Sequence, residues 1–206
     1  MFITLEGVEG SGKTTVAKRL IDQLTADEYD VLYTREPGGN KIAEQIRDVI
    51  LNKENTAMAD RTEVLLYAAA RYQHLVDVIT PALEAGKVVI CDRFVDSSIA
   101  YQGHARGVGV DQVATINQFA TKGLTPDLTL FIDVTPEVGL ARINQDANRE
   151  INRLDLEGLK FHQAVYKGYQ ALAKQHSDRI VIINGEQTPE EVINDAYETI
   201  KSRLTS

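Results

Sequence analysis

Residues Gly7 to Thr14 read Gly-Val-Glu-Gly-Ser-Gly-Lys-Thr and satisfy the spacing G-x-x-x-x-G-K-[ST]. These residue types suit one task, the holding of a polyphosphate. Gly7, Gly10 and Gly12 let backbone N–H groups close on phosphate oxygens, with Ser11 between them. Lys13 adds a mobile cation, Thr14 a hydroxyl able to serve Mg²⁺, and Thr15 carries the loop onward. Such a loop needs a strand before it and a helix after it, because the helix N-terminus supplies further N–H donors and a positive dipole end. The apolar run Phe2-Ile3-Thr4-Leu5 precedes it, and Val16, Leu20, Ile21 and Leu24 share one side of the segment that follows. Glu9 is the odd residue. A carboxylate inside the loop repels phosphate, so its role must lie elsewhere.

Apolar runs at 2–5, 31–34, 88–91, 128–134 and 180–183 alternate with segments of helical period at 13–25, 41–51, 62–83, 111–122, 138–144, 156–175 and 190–203. The alternation predicts an α/β fold, a doubly wound five-stranded parallel sheet flanked by helices. Ligands of such sheets bind beyond the carboxyl ends of the strands. The second run ends in Arg35-Glu36-Pro37-Gly38-Gly39 and the third in Asp92-Arg93-Phe94. Asp92 is placed to hold Mg²⁺, largely through water, and Arg93 offers a planar fork to phosphate oxygens; the alternative is that the two pair or cap a helix. Arg35 either meets an anion or braces the turn behind it.

Tyr67 and Arg71, four apart on the third helix, can reach one object, a ring to stack on a base and a fork to grip its carbonyl edge. Tyr67 taken alone reads rather as core packing with its hydroxyl satisfied, and only its pairing with Arg71 and the strand-end arginines turns it toward a base. Leu65, Leu66, Leu75 and Val76 are expected to form that helix's buried stripe. Gln102, within Ser97-Ser98-Ile99-Ala100-Tyr101-Gln102-Gly103, carries an amide able to read a base edge, or is a surface glutamine. Segment 145–153 lacks periodicity and is rich in Asn, Asp and Arg, which by composition describes a surface loop.

A chain of 206 residues suits one domain rather than two. The net charge of −8 argues against nucleic acid or an anionic membrane as partner, since both favour a basic footprint. Cys91 is the sole cysteine, so no internal disulfide forms, as suits a reducing compartment. No apolar run is long enough to span a bilayer and no basic-then-apolar leader precedes Phe2, so a cytoplasmic protein is expected.

The strings Gly7 to Thr15, Arg35 to Gly39, Asp92-Arg93-Phe94 and Ser97 to Gly103 together resemble the bacterial thymidylate kinase family. The similarity extends through Gly123-Leu124-Thr125-Pro126-Asp127-Leu128 and Arg153-Leu154-Asp155. It implies transfer of the ATP γ-phosphoryl group to dTMP with Mg²⁺, in a homodimer. It assigns Tyr67 to stacking on thymine, Arg71 to O4, Gln102 to N3, and Arg35, Arg47 and Arg93 to the dTMP phosphate. Ser98 joins the substrate set and Tyr101 packs near the sugar 2′ position, where a ring crowds a ribose hydroxyl. Glu9 is directed at the 3′-hydroxyl and Mg²⁺-bound water, and Pro37 matches a cis-proline. The resemblance also makes a region near 142–155 a mobile lid. Because the phosphate loop holds no basic residue besides Lys13, Arg149 is expected to reach the transferring phosphoryl, Arg153 to support it and Arg142 to lie over adenine. Ile42, Ile46 and Ile50 either line a dimer face or cover the sheet.

Two other readings compete. A kinase for another nucleoside monophosphate keeps the fold and changes the acceptor. A guanine-nucleotide switch wants an Asn-Lys-x-Asp string, and neither Asn40-Lys41-Ile42-Ala43 nor Asn52-Lys53-Glu54-Asn55 closes with the Asp.

Overall fold

The structure, a computed structural model, describes residues 1–145 and 152–205. Strands β1 (Phe2–Glu6), β2 (Val31–Arg35), β3 (Val88–Asp92), β4 (Leu128–Asp133) and β5 (Ile180–Asn184) form one sheet in the order β2-β3-β1-β4-β5. Every pairing is parallel. The expected architecture is therefore the observed one. Helices α1 (Lys13–Ala26), α2 (Lys41–Leu51), α3 (Asp60–His74), α4 (Thr80–Glu84), α5 (Val95–Ser98), α6 (Val110–Thr121), α7 (Pro136–Gln145), α8 (Leu159–Gln175) and α9 (Pro189–Leu204) cover it.

Burial on both faces explains why the central strands are apolar throughout rather than alternating. In β1 and β3 every residue is buried. Their side chains still divide by the period of two: Ile3, Leu5, Val88 and Ile90 join the core under α1, α8 and α9, while Phe2, Val89 and Cys91 face Leu75, Ile79 and Phe94. Each fully buried Leu or Ile contributes about 1.5–3 kcal/mol. On the Phe2 face, Thr4 satisfies its hydroxyl against that of Thr129 at 2.8 Å.

Register positions the chemistry. Arg35 lies beside Asp92 and Asp92 beside Leu5, so three strands end level and their following loops leave at one edge.

Two features depart from expectation. Residues 95–105 are helical, as α5 followed by a π-helical segment Ile99–Ala105. This stretch buries Asp96, Ser97, Ser98, Tyr101 and Gln102, so no apolar stripe announces it. The helix read at 62–83 is α3 and α4 joined by a π-helical segment, Leu75–Ile79. Its inward side is Glu63, Val64, Tyr67, Arg71 and His74, whereas Leu65 and Val76 are 58% and 43% exposed. Of the expected stripe only Leu75 is buried. The inward face mixes Val64, Ala68 and Ala70 with Glu63, Arg71 and His74, and Tyr67 and Arg71 on it line a cleft.

Candidate active site

The loops at that edge enclose a cleft of about 370 Å³. One wall is the phosphate loop, where Gly10 and Gly12 adopt φ of 72° and 91°. Their left-handed backbone opens the loop at no Cβ cost. Lys13 Nζ spends its three donors within the loop, on Gly7 O at 3.0 Å, Val8 O at 2.9 Å and Ser11 Oγ at 3.1 Å. Burial, aided by nearby Arg93, lowers its pKa to about 8, a site that favours an incoming anion. Thr14 Oγ1 donates to Asp92 Oδ2 at 3.2 Å. A hydroxyl and a carboxylate together are hard oxygen donors and fit Mg²⁺.

Beneath the loop lies a charged network. Arg93, with φ of 72°, holds an unfavourable backbone conformation for a side-chain-bearing residue. Its fork donates to Gly7 O at 3.0 Å, Ser97 Oγ at 3.1 Å, Tyr169 Oη at 3.0 Å and Glu9 Oε1 at 3.2 Å. Glu9 also accepts from Tyr101 Oη at 2.6 Å and has His162 Nδ1 at 3.4 Å. Burial alone raises the Glu9 pKa; Arg93, with help from His162, Lys13 and Tyr101, outweighs it and holds the carboxyl well below its usual range. Glu6 behaves oppositely. Buried and close to Asp96, it is raised to about 7 while accepting from Phe94 N, Ser97 Oγ and Tyr169 Oη.

The far end of the cleft presents Tyr67 with Arg71, Ser98 and Gln102. Arg71 is 2% exposed, and four of its five N–H groups are taken. Nε donates to Glu36 Oε2 at 2.7 Å, one NH₂ to Ser98 Oγ at 3.1 Å and to Asn117 Oδ1, and the other to Phe94 O at 3.0 Å. Glu36 is itself held by His74 Nδ1 at 3.0 Å, and His74 Nε2 meets Thr34 Oγ1 at 2.6 Å. Arg35 and Arg47 both donate to Pro37 O at 2.9 Å, which brings two cations together at the rim. The Glu36–Pro37 peptide is cis.

The cleft thus gathers Glu9, the loop from Gly10 to Thr15, Asp92, Arg93, the two rim arginines and Tyr67, Arg71, Ser98, Tyr101 and Gln102. Gly7 supports it from behind through its carbonyl. Two expected residues point elsewhere. Arg142, at the end of α7, donates to Gly185 O at 3.1 Å and does not line the cleft. Arg153, expected beside ATP, donates instead to Ile50 O at 2.9 Å and to Glu63. The reason is that a carboxylate as buried as Glu63, at 1% exposure, requires a cation. Arg149 lies outside the described residues, as does the stretch 146–151 of the expected lid. Of the three isoleucines of α2, Ile50 is fully buried and Ile42 is 49% exposed.

Sequence reasoning missed Glu36, Glu63, His74 and His162. Glu63 had a signal, since it precedes Tyr67 by four residues and Arg71 by eight on one helical face. His162 had none, because its contact with Glu9 spans 153 positions of chain.

A phosphate loop, the Thr14 hydroxyl paired with Asp92 at the end of β3, and Tyr67, Arg71 and Gln102 lining the same cleft, on a five-stranded parallel sheet, define a P-loop phosphotransferase of the nucleoside monophosphate kinase type. The family model described as thymidylate kinase matches residues 5–196, and the chain belongs to that family. The thymidylate kinase of Oceanobacillus iheyensis is 56% identical over 99% of this chain and 91% of its own length. That of Clostridium novyi is 55% identical over 97% and 98%. The crystal structure of thymidylate kinase from Ehrlichia chaffeensis superposes with a TM-score of 0.78 at 30% identity, covering 98% of both chains.

Proposed function

We propose that the cleft transfers the γ-phosphoryl group of ATP to dTMP, giving dTDP and ADP for dTTP synthesis. The observation that carries this reading is the shared cleft, lined both by the phosphate loop with Thr14–Asp92 and by Tyr67, Arg71 and Gln102. Two anions enter end to end, and the protein's task is alignment and charge neutralisation. Lys13 exchanges its loop carbonyls for the donor's phosphate oxygens. Arg35 and Arg47 hold the acceptor phosphate from the rim, and Arg93 bridges toward that same acceptor phosphate. A monophosphate dianion is already nucleophilic, so no general base is assigned. Thr14 and Asp92 would hold Mg²⁺, largely through water, and the ion when bound neutralises charge on the phosphoryl oxygens.

At the base end Tyr67 stacks, the remaining N–H of Arg71 meets the thymine O4 and Gln102 faces N3. Ser98 steadies Arg71. The ring of Tyr101 crowds the 2′ position, and Glu9 faces the 3′-hydroxyl. Arg149 remains our choice for the transferring phosphoryl and Arg142 for the adenine face. We assign Arg153 to Glu63 rather than to ATP. A homodimer and cytoplasmic residence complete the proposal; among the described residues no helix is long and apolar enough to cross a membrane.

The test is a coupled assay of ADP release with Mg²⁺ and ATP across dTMP, dUMP, dCMP and dGMP. Turnover is expected to be highest with dTMP. Rapid conversion of dGMP with dTMP left unconverted overturns the reading.

A further inference from the structure

Gln102 is a poor reader of a base on its own, because its amide can turn by half a rotation and exchange acceptor for donor. In this fold it does not turn. Its Nε2 donates to Glu63 Oε1 at 2.8 Å, and both side chains are 1% exposed. Glu63 cannot donate in the opposite sense, since a carboxylate flanked by two guanidinium groups offers only lone pairs. Arg153 donates to its Oε2, and Arg106 Nε lies 3.6 Å from its Oε1. The Gln102 oxygen has no hydrogen-bond partner among the described residues, and the residue lines the cleft beside Tyr67 and Arg71.

We infer that Glu63 is a specificity-determining positioning residue: by fixing the Gln102 nitrogen it aims the Gln102 oxygen at the base, selecting a pyrimidine whose N3 carries a proton. Thymine and uracil donate from N3, whereas cytosine accepts there. The inference rests on the proposed placement of the base in this pocket. Asn117 is fixed by the same device, its Nδ2 donating to Val113 O at 2.8 Å so that its oxygen meets Arg71. The pocket thus sorts its amides: the oxygen of one meets a donor of the protein, and that of the other meets a donor of the substrate.

Glu63→Gln tests this with little change of shape. The new amide keeps its oxygen on Arg153, the closer cation, and turns its nitrogen toward Gln102. Gln102 then rotates and presents its own nitrogen to the base. The expected result is a rise in KM for dTMP and a fall of at least about tenfold in the ratio of kcat/KM for dTMP over dCMP, because a site built to pair one hydrogen-bond pattern rejects its inverse. Preference need not invert, since Arg71 still opposes the cytosine amine. Equal losses for both substrates, or an unchanged ratio, overturn the inference and leave the assigned reaction intact. Failure of the unaltered protein to convert dTMP overturns the assigned reaction instead. If the variant does not fold, a crystal structure of the unaltered protein with dTMP decides. Gln102 must bond Glu63 with one amide atom and N3 with the other, and a Gln102 turned away from Glu63 overturns the inference.

Discussion

Glu9 carries the same formal charge as the ligand beside it, and its partners resolve the conflict. Arg93 pairs with it, Tyr101 donates to it and His162 lies within 3.4 Å, so its charge is spent inside the protein rather than on the phosphate loop. Its repulsion toward a bound phosphate is thereby reduced, which suits the proposed role toward the acceptor. We expect Glu9→Ala to lower kcat/KM for dTMP by at least about a hundredfold while the KM for ATP stays within about threefold; equal losses in steady-state kinetics for both substrates count against the assignment. At this scale the sequence was informative where spacing carries meaning. Tyr67 and Arg71 announce themselves by lying four apart, and Lys13 and Thr14 by their loop. Glu36, His74 and His162 do not, because a lone carboxylate or imidazole acquires a role only from neighbours brought together by the fold. The pairing of Arg153 with Glu63 was hidden for the same reason: nothing local records that a buried carboxylate awaits it.

Among elements, the strands were legible because burial on two faces writes an uninterrupted apolar run, and their carboxyl ends then located the cleft. The segment from α5 through Ala105 was not, since its inward side is polar and periodicity of apolar residues is the signal by which helices are read. The α3 stripe was legible but inverted. Loop and helix also meet more closely than any pattern reveals. Gly139 of α7 lies against the backbone of Glu9 and Gly10, where a Cβ on either glycine would collide with the opposing carbonyl. In Gly139→Ala the backbone of α7 carries no strain of its own, so the whole effect is displacement from the phosphate loop. The expected outcome is a rise in KM for ATP of at least about tenfold and a fall in Tm of ~2–10 °C, with the KM for dTMP much less affected. Kinetics and thermal melting check both, and unchanged values remove the contact from the mechanism.

For the molecule as a whole, α3 packs against both α2 and α6, and these helices expose Ile42, Val49, Leu65, Tyr72 and Phe119, with Val76 just beyond α3. Phe119 is 87% exposed, more than any other large apolar residue described. Such a patch on one side of an otherwise acidic protein is the surface a two-fold mate would cover. We expect Phe119→Glu to shift sedimentation from dimer to monomer, and a monomeric unaltered protein removes the homodimer from the proposal. The global plan was legible in the alternation of strand and helix, whereas the strand order was not, because pairing partners lie far apart in sequence. Phe2 pairs with Val89 and Ile3 with Leu128, so β1 sits between two strands that follow it by more than eighty residues. During vectorial synthesis the phosphate loop therefore leaves the ribosome before either strand that flanks β1. β1 gains its second neighbour only after Asp133 has emerged, so stabilisation of a nascent chain by nucleotide is expected only beyond that point.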